Sequence, residues 1–294
     1  MNYACTIGFF DGVHRGHQYL LQQLKSLAAS RGMQTLVITF ARSPLSTLCP
    51  ARAPKLLSDV EEKREFIGEM GIDRCEVMDF SKQMAALTAR EFLRLRLVPM
   101  GVKLLLMGYD HHFGSDRMAF RQVRDMAADM GVEVVSAEAL KDDDAAVSSS
   151  EIRSMISTGQ VAAAQMLLGR PYMLSGMVIE GRHEGTGLGF PTANIRPRCD
   201  EKLIPACGAY AVRATLEGKT YGGMMNIGTR PTLKNGSDIS LETNLFDFSG
   251  EAYGKLLTVS FVERIRDEKE FSSPEALRRQ LCDDVITAKK FLKL

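Results

Sequence analysis

The segment of residues 181–194 joins a glycine-rich loop to two neutral, oxygen-bearing side chains. Glycine lets the backbone take positive φ angles and approach a ligand closely, and the loop contains Gly181, Gly185, Gly187 and Gly189. If the residues after the loop are extended, Thr192 and Asn194 point to the same side, because side chains alternate along a strand. Two neutral oxygen ligands beside such a loop suit a hydrated Mg²⁺ ion and the phosphates that it carries. The segment therefore predicts a magnesium and phosphate site.

Neither this glycine loop nor a later Gly-Lys-Thr run completes a common nucleotide-binding pattern. The pattern that begins at Gly185 would need a third glycine at position 190 to bind a dinucleotide, and Phe190 lies there. The Gly-Lys-Thr run at 218–220 resembles the end of a P-loop, but Arg213 stands at the required first glycine. The sequence thus predicts a phosphate site of an unusual kind.

A second group of residues suited to phosphate lies near the start of the chain. Residues 8–17, which we name the histidine turn, read Gly-Phe-Phe-Asp-Gly-Val-His-Arg-Gly-His and follow an apolar run at 3–7. A helical pattern comes next, with Leu20, Leu21, Leu24, Leu27 and Ala28 on one face. His14 and His17 therefore lie at a strand-to-helix turn, where the first free amides and the positive dipole end favour an anion. Their imidazoles can donate hydrogen bonds to the phosphates of a nucleotide.

Two further patterns have an ordinary structural interpretation. The Ser-x-x-Glu pattern at 148–151 is typical of a helix capping box, and a capped helix start is also an anion site. Glu242 alternates with apolar neighbours and shares a strand face with Asn244. By pattern alone, that polar face is a solvated strand face.

Composition bounds the class of protein. The chain has 294 residues, which favours two domains, each long enough for its own core. The net charge of +1 argues against a nucleic-acid partner, which selects a basic face. The six cysteines form no Cys-x-x-Cys pair, which is typical of reduced thiols in the cytoplasm. No apolar run approaches the roughly 20 residues that span a bilayer, and no signal peptide is evident, so we expect a cytoplasmic protein without a membrane partner.

The first half of the chain alternates strand and helix patterns. Strands are predicted at 3–8, 34–40, 74–78, 103–107 and 132–135. Helices are predicted near 16–30, 59–70, 88–96 and 117–130. This alternation predicts a Rossmann-like α/β domain with a parallel sheet, whose ligands bind at the carboxyl ends of the strands.

The pattern changes from about residue 172. Strand-like runs lie at 172–180, 209–217, 219–227, 240–248 and 256–264, and a tight hairpin is predicted at Glu217 and Gly218. A helix with one apolar face closes the chain at 274–292. The second half is therefore predicted to be an antiparallel β-barrel with a C-terminal helix. We place the domains at 1–165 and 170–294.

Five sequence blocks, in order, resemble the bacterial bifunctional riboflavin kinase/FAD synthetase family over nearly the whole chain. The first is His-Arg-Gly-His at 14–17, which extends Phe-Asp-Gly-Val-His at 10–14. The family's second block is similar to residues 108–114 with Arg117. Its third block is similar to Ser-Ser-Ser-Glu-Ile-Arg at 148–153. Gly-Phe-Pro-Thr-Ala-Asn at 189–194 matches its kinase signature. Residues 226–232 and 242–254 resemble the later kinase blocks.

For the first domain, this resemblance implies FMN adenylyltransferase activity. His14 and His17 are implied to bind the phosphates of ATP and to stabilise charge as pyrophosphate leaves. The remaining implied ATP- and FMN-binding residues are Gly8, Phe9, Asp11, Gly16, Asp110, Arg117, Ser149, Ser150 and Arg153.

For the second domain, the resemblance implies riboflavin kinase activity. Glu242 is implied to be the general base on the riboflavin 5′-hydroxyl, and Thr192 and Asn194 to be the Mg²⁺ ligands. The implied ATP- and flavin-binding residues are Gly181, Gly185, Gly187, Gly189, Pro191 and Asn226. ATP, riboflavin, FMN and FAD are the expected partners, with no tightly bound prosthetic group and no obligate protein partner.

Two departures from the family pattern bear on this interpretation. Ser43 stands where such synthetases usually carry histidine, so a riboflavin kinase with a weakened or inactive synthetase domain stays open as an alternative. Asn244 replaces a commoner histidine near the expected kinase base. An adenylyltransferase for a different acceptor and a flavin-binding carrier without catalysis are two more competing hypotheses. His183, Glu184 and the aspartates at 142–144 are interpreted as exposed loop residues.

Overall fold

The computed structural model describes residues 1–108, 112–138, 147–180, 190–231 and 237–294. The chain divides into two compact units, Met1–Ser149 and Ser150–Leu294. Several residues singled out from the sequence lie outside the described residues, namely Asp110, Gly181, Gly185, Gly187, Gly189, His183, Glu184 and the aspartates at 142–144.

The first unit is built on a five-stranded parallel sheet, as predicted. Its strands are β1 (Tyr3–Ile7), β2 (Gln34–Phe40), β3 (Arg74–Met78), β4 (Val102–Met107) and β5 (Glu133–Ser136). Their spatial order is β3-β2-β1-β4-β5, so the chain winds in one direction from β1 to β3 and in the other from β4 to β5. The carboxyl ends of β1 and β4 therefore form a topological switch point, where ligands of open α/β sheets bind.

Helices connect these strands. They are α1 (Arg15–Ser30), α2 (Pro44–Leu48), α3 (Val60–Glu69), α4 (Lys82–Ala85), α5 (Ala89–Phe92) and α6 (Phe120–Ala128). The prediction of a helix at 117–130 was too long, because Arg117 has a φ of 50° and Phe113 pairs with Met118 in a short antiparallel bridge. The helix predicted at 88–96 is α5 followed by a π-helical turn, Leu93–Leu97. Local hydrogen bonding decided both differences.

The second unit is a closed antiparallel barrel preceded by two short helices. The helices are α7 (Ser149–Ser157), which begins at the last residue of the first unit, and α8 (Val161–Leu168). The strands are β6 (Met173–Ile179), β7 (Ala193–Pro197), β8 (Gly208–Leu216), β9 (Lys219–Pro231), β10 (Ser237–Leu245) and β11 (Leu256–Asp267). They close in the order β10-β7-β6-β11-β8-β9. The predicted barrel is confirmed.

Two local features of the barrel bear on the sequence predictions. The hairpin between β8 and β9 turns at Glu217 and Gly218, whose φ angles of 49° and 79° suit a two-residue turn. Strand β7 was missing from the predicted strands, because it is short and follows the glycine loop directly. It nevertheless carries Asn194 into the barrel wall between β10 and β6.

The C-terminal helix α9 (Pro274–Leu292) packs against the barrel, as its apolar face predicts. The Ser273 hydroxyl caps it by accepting a hydrogen bond from the Ala276 amide at 3.2 Å. Arg213 on β8 donates to the Leu292 carbonyl at 3.0 Å and fixes the other end of the helix. Within the described residues, no helix is both long and apolar enough to cross a membrane.

Candidate active sites

The histidine turn follows β1 and has an unusual backbone. Phe10, Gly12 and Val13 all have positive φ angles, of 52°, 76° and 39°. A branched side chain such as that of Val13 is rarely found at positive φ, and strain of this kind concentrates at functional sites. Gly8 favours the close approach of the Phe10 ring, because a Cβ atom there would lie only 3.0 Å from that ring. The turn therefore has a fixed shape that an arbitrary loop would not adopt.

The two histidines are brought together at the start of α1. Their rings stack with centroids 3.7 Å apart, and the Phe10 ring meets the His17 ring edge-on at 5.2 Å. His14 is buried and directly precedes α1, while His17 is half-buried in its first turn. Because the free amides and the positive dipole end of a helix lie here, the arrangement suits an anion.

The Asp11 carboxylate anchors the histidine turn through hydrogen bonds to the segment before α3. It is buried and accepts hydrogen bonds from the amides of Leu57 and Ser58, each at 3.0 Å. The Ser58 hydroxyl in turn accepts from the Gly12 amide at 2.9 Å. These contacts tie the histidine turn to the segment that leads into α3. The structure thus gives Asp11 a structural role, and its contact with a nucleotide stays a prediction.

Of the other residues predicted for this site, Gly16 and Ser149 lie at the histidine turn. A Cβ at Gly16 would lie 3.3 Å from the His14 ring, so glycine allows the close approach of that ring. Ser149 donates to the Asp11 carbonyl at 3.2 Å and therefore lies beside the turn. Arg117 is exposed in its own tight turn. Ser150 and Arg153 belong to the second unit, on α7, and their phosphate contacts stay predictions.

Lys63 is a residue near this turn that the sequence interpretation missed. Its side chain is buried in α3, and its ammonium lies 3.9 Å from the centroid of the Phe9 ring. Burial lowers the pKa of Lys63 to about 8, against the opposing effect of Asp11, Cys75 and Asp59. Its spacing from Phe66 and Ile67 places it on the apolar face of the helix, a signal that the sequence did contain.

In the second unit, a cavity of about 330 Å³ opens beside the barrel wall. Part of its lining is polar and part is apolar, as a site for a ring system with phosphates requires. The polar residues include Thr192, Asn194, Asn226, Ser240, Glu242, Asn244, Arg266, Glu268 and Asp284. The apolar residues include Phe190, Met224, Met225, Phe271, Leu277 and Leu281.

The structure brings four predicted kinase residues together in this cavity. Glu242 on β10 lies opposite Asn194 on β7 and opposite Asn226 on β9 in the strand registers. Thr192 lies just before β7 and lines the same cavity. Directly opposed strand residues have Cβ atoms about 5 Å apart, so one carboxylate faces two amides. The Glu242 side chain is half-buried and open to the cavity.

The departure at Asn244 has a structural explanation. Its amide Nδ2 donates to the Pro191 carbonyl at 2.7 Å, and the side chain is buried. This bond joins β10 to the residue before Thr192. Pro191, predicted as a binding residue, is exposed and takes part through its backbone. Asn244 therefore holds the segment that carries the predicted metal ligands.

Other cavity residues come from the end of β11 and from α9, and sequence patterns gave no sign of them. Arg266 makes a bidentate ion pair with the buried Asp284, at 2.8–3.0 Å. Glu268 accepts from the Thr229 amide at 3.0 Å. In this way α9 becomes one wall of the cavity, although it is distant from β7 in sequence.

The oxygen atoms that line the cavity determine which metal ion it could hold. Thr192 and Asn194 offer neutral oxygens, and Glu242 offers a carboxylate on the neighbouring strand. Oxygen ligands of this kind fit a hard divalent ion that keeps several waters. Within the described residues, no group of three or more His, Cys, Asp or Glu side chains could hold a metal by itself. An ion here would be shared with the phosphates of a bound nucleotide.

Comparison with known families matches each unit separately. The FAD synthetase family matches residues 1–151, and the riboflavin kinase family matches residues 168–292. A bifunctional riboflavin kinase/FMN adenylyltransferase from Escherichia coli K12 is 36% identical over 292 residues, covering 98% of this chain and 92% of that protein. The chain belongs to this bifunctional family. Both component families use ATP, typically with a divalent metal ion.

Further relatives give the same result. The bifunctional enzyme of Pseudomonas fluorescens is 35% identical over 97% of this chain and 92% of its own length. That of Bacillus subtilis is 34% identical over 95% and 89%. A crystal structure described as a macrolide-efflux protein from Streptococcus pneumoniae has a TM-score of 0.89 and 31% identity, covering 98% of this chain and 94% of its own. The name of that structure differs from those of the bifunctional relatives, and the similarity to this chain is one of fold.

Proposed function

We propose that this chain catalyses two successive ATP-dependent reactions in flavin cofactor biosynthesis. The second unit phosphorylates riboflavin to FMN, and the first unit transfers AMP from a second ATP to FMN, giving FAD and pyrophosphate. The observation that carries this proposal is the constellation of Glu242, Asn194, Asn226 and Thr192 in one cavity, together with stacked histidines at a helix start elsewhere in the chain. The family matches support the same pair of reactions.

In the kinase reaction, Glu242 is the general base. It accepts the proton of the riboflavin 5′-hydroxyl as that oxygen forms a bond to the γ-phosphorus of ATP, and the bond to the β-phosphate oxygen breaks to release ADP. A carboxylate oxygen must lie within about 3 Å of the hydroxyl oxygen whose proton it accepts. Glu242 has this opportunity because its half-buried side chain opens into the cavity. Asn194 and Asn226, on either side, orient the phosphates.

The substrate of both reactions is MgATP. Thr192 and Asn194 hold the magnesium ion in the kinase site, because their neutral oxygens fit its preference and leave room for phosphate oxygens and water. The ion neutralises charge on the transferred phosphoryl group when it is bound. The apolar part of the cavity, with Phe190, Phe271 and Leu281, receives the flavin ring.

Adenylyl transfer needs no covalent intermediate with the protein. A phosphate oxygen of FMN attacks the α-phosphorus of ATP, and pyrophosphate leaves with the electrons of the broken bond. His14 and His17 donate hydrogen bonds to the phosphates, and the start of α1 attracts their negative charge. Such positioning and electrostatic effects supply most of the rate in reactions of this class.

A kinase with a weakened synthetase is not favoured. Ser43, the departure behind that hypothesis, is buried and caps α2 by accepting a hydrogen bond from the Leu45 amide at 3.3 Å. The FAD synthetase family matches the whole first unit despite this residue. Chromatography of the yellow products after incubation with riboflavin and MgATP tests the point, since FMN without FAD would restore the hypothesis.

The kinase assignment is tested by Glu242→Gln, which keeps the size of the side chain and removes its basicity. We expect ATP consumption with riboflavin to fall by roughly a hundredfold or more, within the range of general-base contributions, while riboflavin still binds. Glu263→Gln is the matched control, because Glu263 is half-buried on β11 and outside the cavity lining. Wild-type turnover in Glu242→Gln would remove the glutamate from the mechanism.

A further inference from the structure

Lys63 is a charged residue placed where the fold would ordinarily put an apolar one. It is 1% exposed, on the face of α3 that also buries Phe66 and Ile67. A buried ammonium is strongly unfavourable unless it is compensated, and lysine is seldom fully buried without a partner. Its presence therefore calls for an explanation beyond packing.

The ammonium of Lys63 contacts the end of β2 and the histidine turn that follows β1. It donates a hydrogen bond to the Phe40 carbonyl, the last residue of β2, at 3.0 Å. It also lies 3.9 Å from the centroid of the Phe9 ring, in the histidine turn. A cation over an aromatic ring is attracted to it, more strongly when water is excluded.

The same region of the turn is held from β2 and from the start of α3. The Thr39 hydroxyl donates to the Phe9 carbonyl at 3.0 Å, and the Gly8 amide donates to the Ile38 carbonyl at 3.0 Å. The Asp11 carboxylate accepts from Leu57 and Ser58, just before the Asp59 cap of α3. The lysine thus adds a contact to the hydrogen bonds that fix the residues leading to His14 and His17.

We propose that Lys63 is a positioning residue for adenylyl transfer, and that its ammonium fixes the histidine turn against the end of β2. The inference rests on the proposed FMN adenylyltransferase activity of the first unit. The lysine acts through Phe9 and Phe40 and is assigned no contact with the substrate. Its loss would leave ATP binding partly intact but misplace the imidazoles in the transition state, where small displacements have large effects.

The charge on Lys63 gives this role a pH dependence. The groups that act on it are Asp11 in the turn, Asp59 at the cap of its own helix and Cys75 on β3. Burial outweighs their influence and lowers the pKa of Lys63 to about 8. The cation–π attraction to the Phe9 ring is therefore present at neutral pH and is lost as the pH rises through this value, while the hydrogen bond to the Phe40 carbonyl loses its charge assistance. Above it, the protonated fraction falls about tenfold for each pH unit.

The test uses the full chain and measures FAD formation from FMN and MgATP, with riboflavin phosphorylation as an internal control. In Lys63→Met we expect kcat for FAD formation to fall roughly tenfold to a hundredfold with a smaller change in KM, because the lost interaction matters in the transition state. Riboflavin phosphorylation should stay unchanged. Lys25→Met is the matched control, since Lys25 is exposed and also donates to a carbonyl, that of Met70 at 2.8 Å.

A pH profile keeps the test decisive even if Lys63→Met fails to fold. Wild-type FAD formation should decline above about pH 8, and Lys63→Arg, which stays protonated, should shift or remove that decline. A wild-type kcat that is flat from neutral pH to well above pH 8, or a folded Lys63→Met with wild-type kcat, overturns the inference. If the wild-type chain forms no FAD at any pH, the proposed adenylyltransferase function itself fails, which is a distinguishable result.

Discussion

At the residue scale, Asn244 shows how a change from the common family residue can be accommodated. Its amide donates to the Pro191 carbonyl at 2.7 Å, beside the predicted metal ligand Thr192. The resemblance identified the position as unusual, but the partner could be found only once β7 and the preceding residues were seen beside β10.

We predict that Asn244→Leu, which removes the donor at similar size, lowers kcat/KM for riboflavin phosphorylation by about fivefold. The reason is that a hydrogen bond of this kind contributes about 1 kcal/mol, and its loss frees the segment that holds Thr192. Steady-state kinetics at varied MgATP would measure the effect. Asn244→His keeps an N–H donor and should retain more activity, and equal loss in both variants would contradict this explanation.

The low pKa of Lys63 also predicts how stability depends on pH. The direction is opposite to that for activity: stability should rise with pH where FAD formation falls. Its pKa of about 8 lies below the value of an unfolded lysine, so the unfolded chain binds more protons between about pH 8 and 10.4. Stability should therefore rise with pH in this window, by up to about 3 kcal/mol, while FAD formation falls. Urea unfolding of the wild type and of Lys63→Met across this window would give the difference. The same pH dependence of stability in both proteins would contradict the low pKa.

At the element scale, the C-terminal helix is as much a part of the kinase site as the strands. The ion pair of Arg266 with Asp284 joins β11 to α9, and both residues line the cavity. Gln280 adds a hydrogen bond to the Asp284 carboxylate at 2.9 Å. Since Asp284 is buried and Arg266 is largely shielded from solvent, the pair fixes the distance between helix and barrel.

We predict that Asp284→Ala lowers the free energy of unfolding of the second unit by about 3–5 kcal/mol, because it leaves the largely shielded Arg266 guanidinium without its carboxylate partner. The KM for riboflavin should rise as well, since one wall of the cavity loosens. Lys255→Ala is the comparison, because its ion pair with Glu217 is exposed and such pairs contribute less than about 1 kcal/mol. Similar losses in the two variants would show that burial is not the cause.

Element prediction succeeded where the sequence pattern is regular over the whole element. The predictions for 34–40 and 74–78 coincide with β2 and β3, and the helix at 274–292 coincides with α9. Strand β7 was missed because a five-residue strand after a glycine loop has too little alternation to be seen. The π-helical turn Leu93–Leu97 was missed because its side-chain pattern is that of an α-helix.

At the scale of the whole molecule, the chain divides into two compact units of different architecture. Strand and helix patterns were enough to predict both folds, and ordered sequence blocks predicted residues that gather in the barrel cavity, including Glu242 and Asn194. They did not reveal Lys63, Arg266 or Asp284, whose partners are distant in sequence and meet only in the folded chain. Short motifs thus identify the chemistry, while supporting contacts require the structure.

The central claim is that the two units hold separate catalytic sites. Crossed inactivation tests it most directly: Glu242→Gln should make FMN from riboflavin roughly a hundredfold or more slowly, yet convert supplied FMN to FAD at the wild-type rate. His17→Ala should do the reverse, and accumulate FMN with FAD formation reduced by roughly a hundredfold, the cost of losing one charge-stabilising donor. If either substitution abolished both reactions in a folded protein, the account of two separate sites would be contradicted.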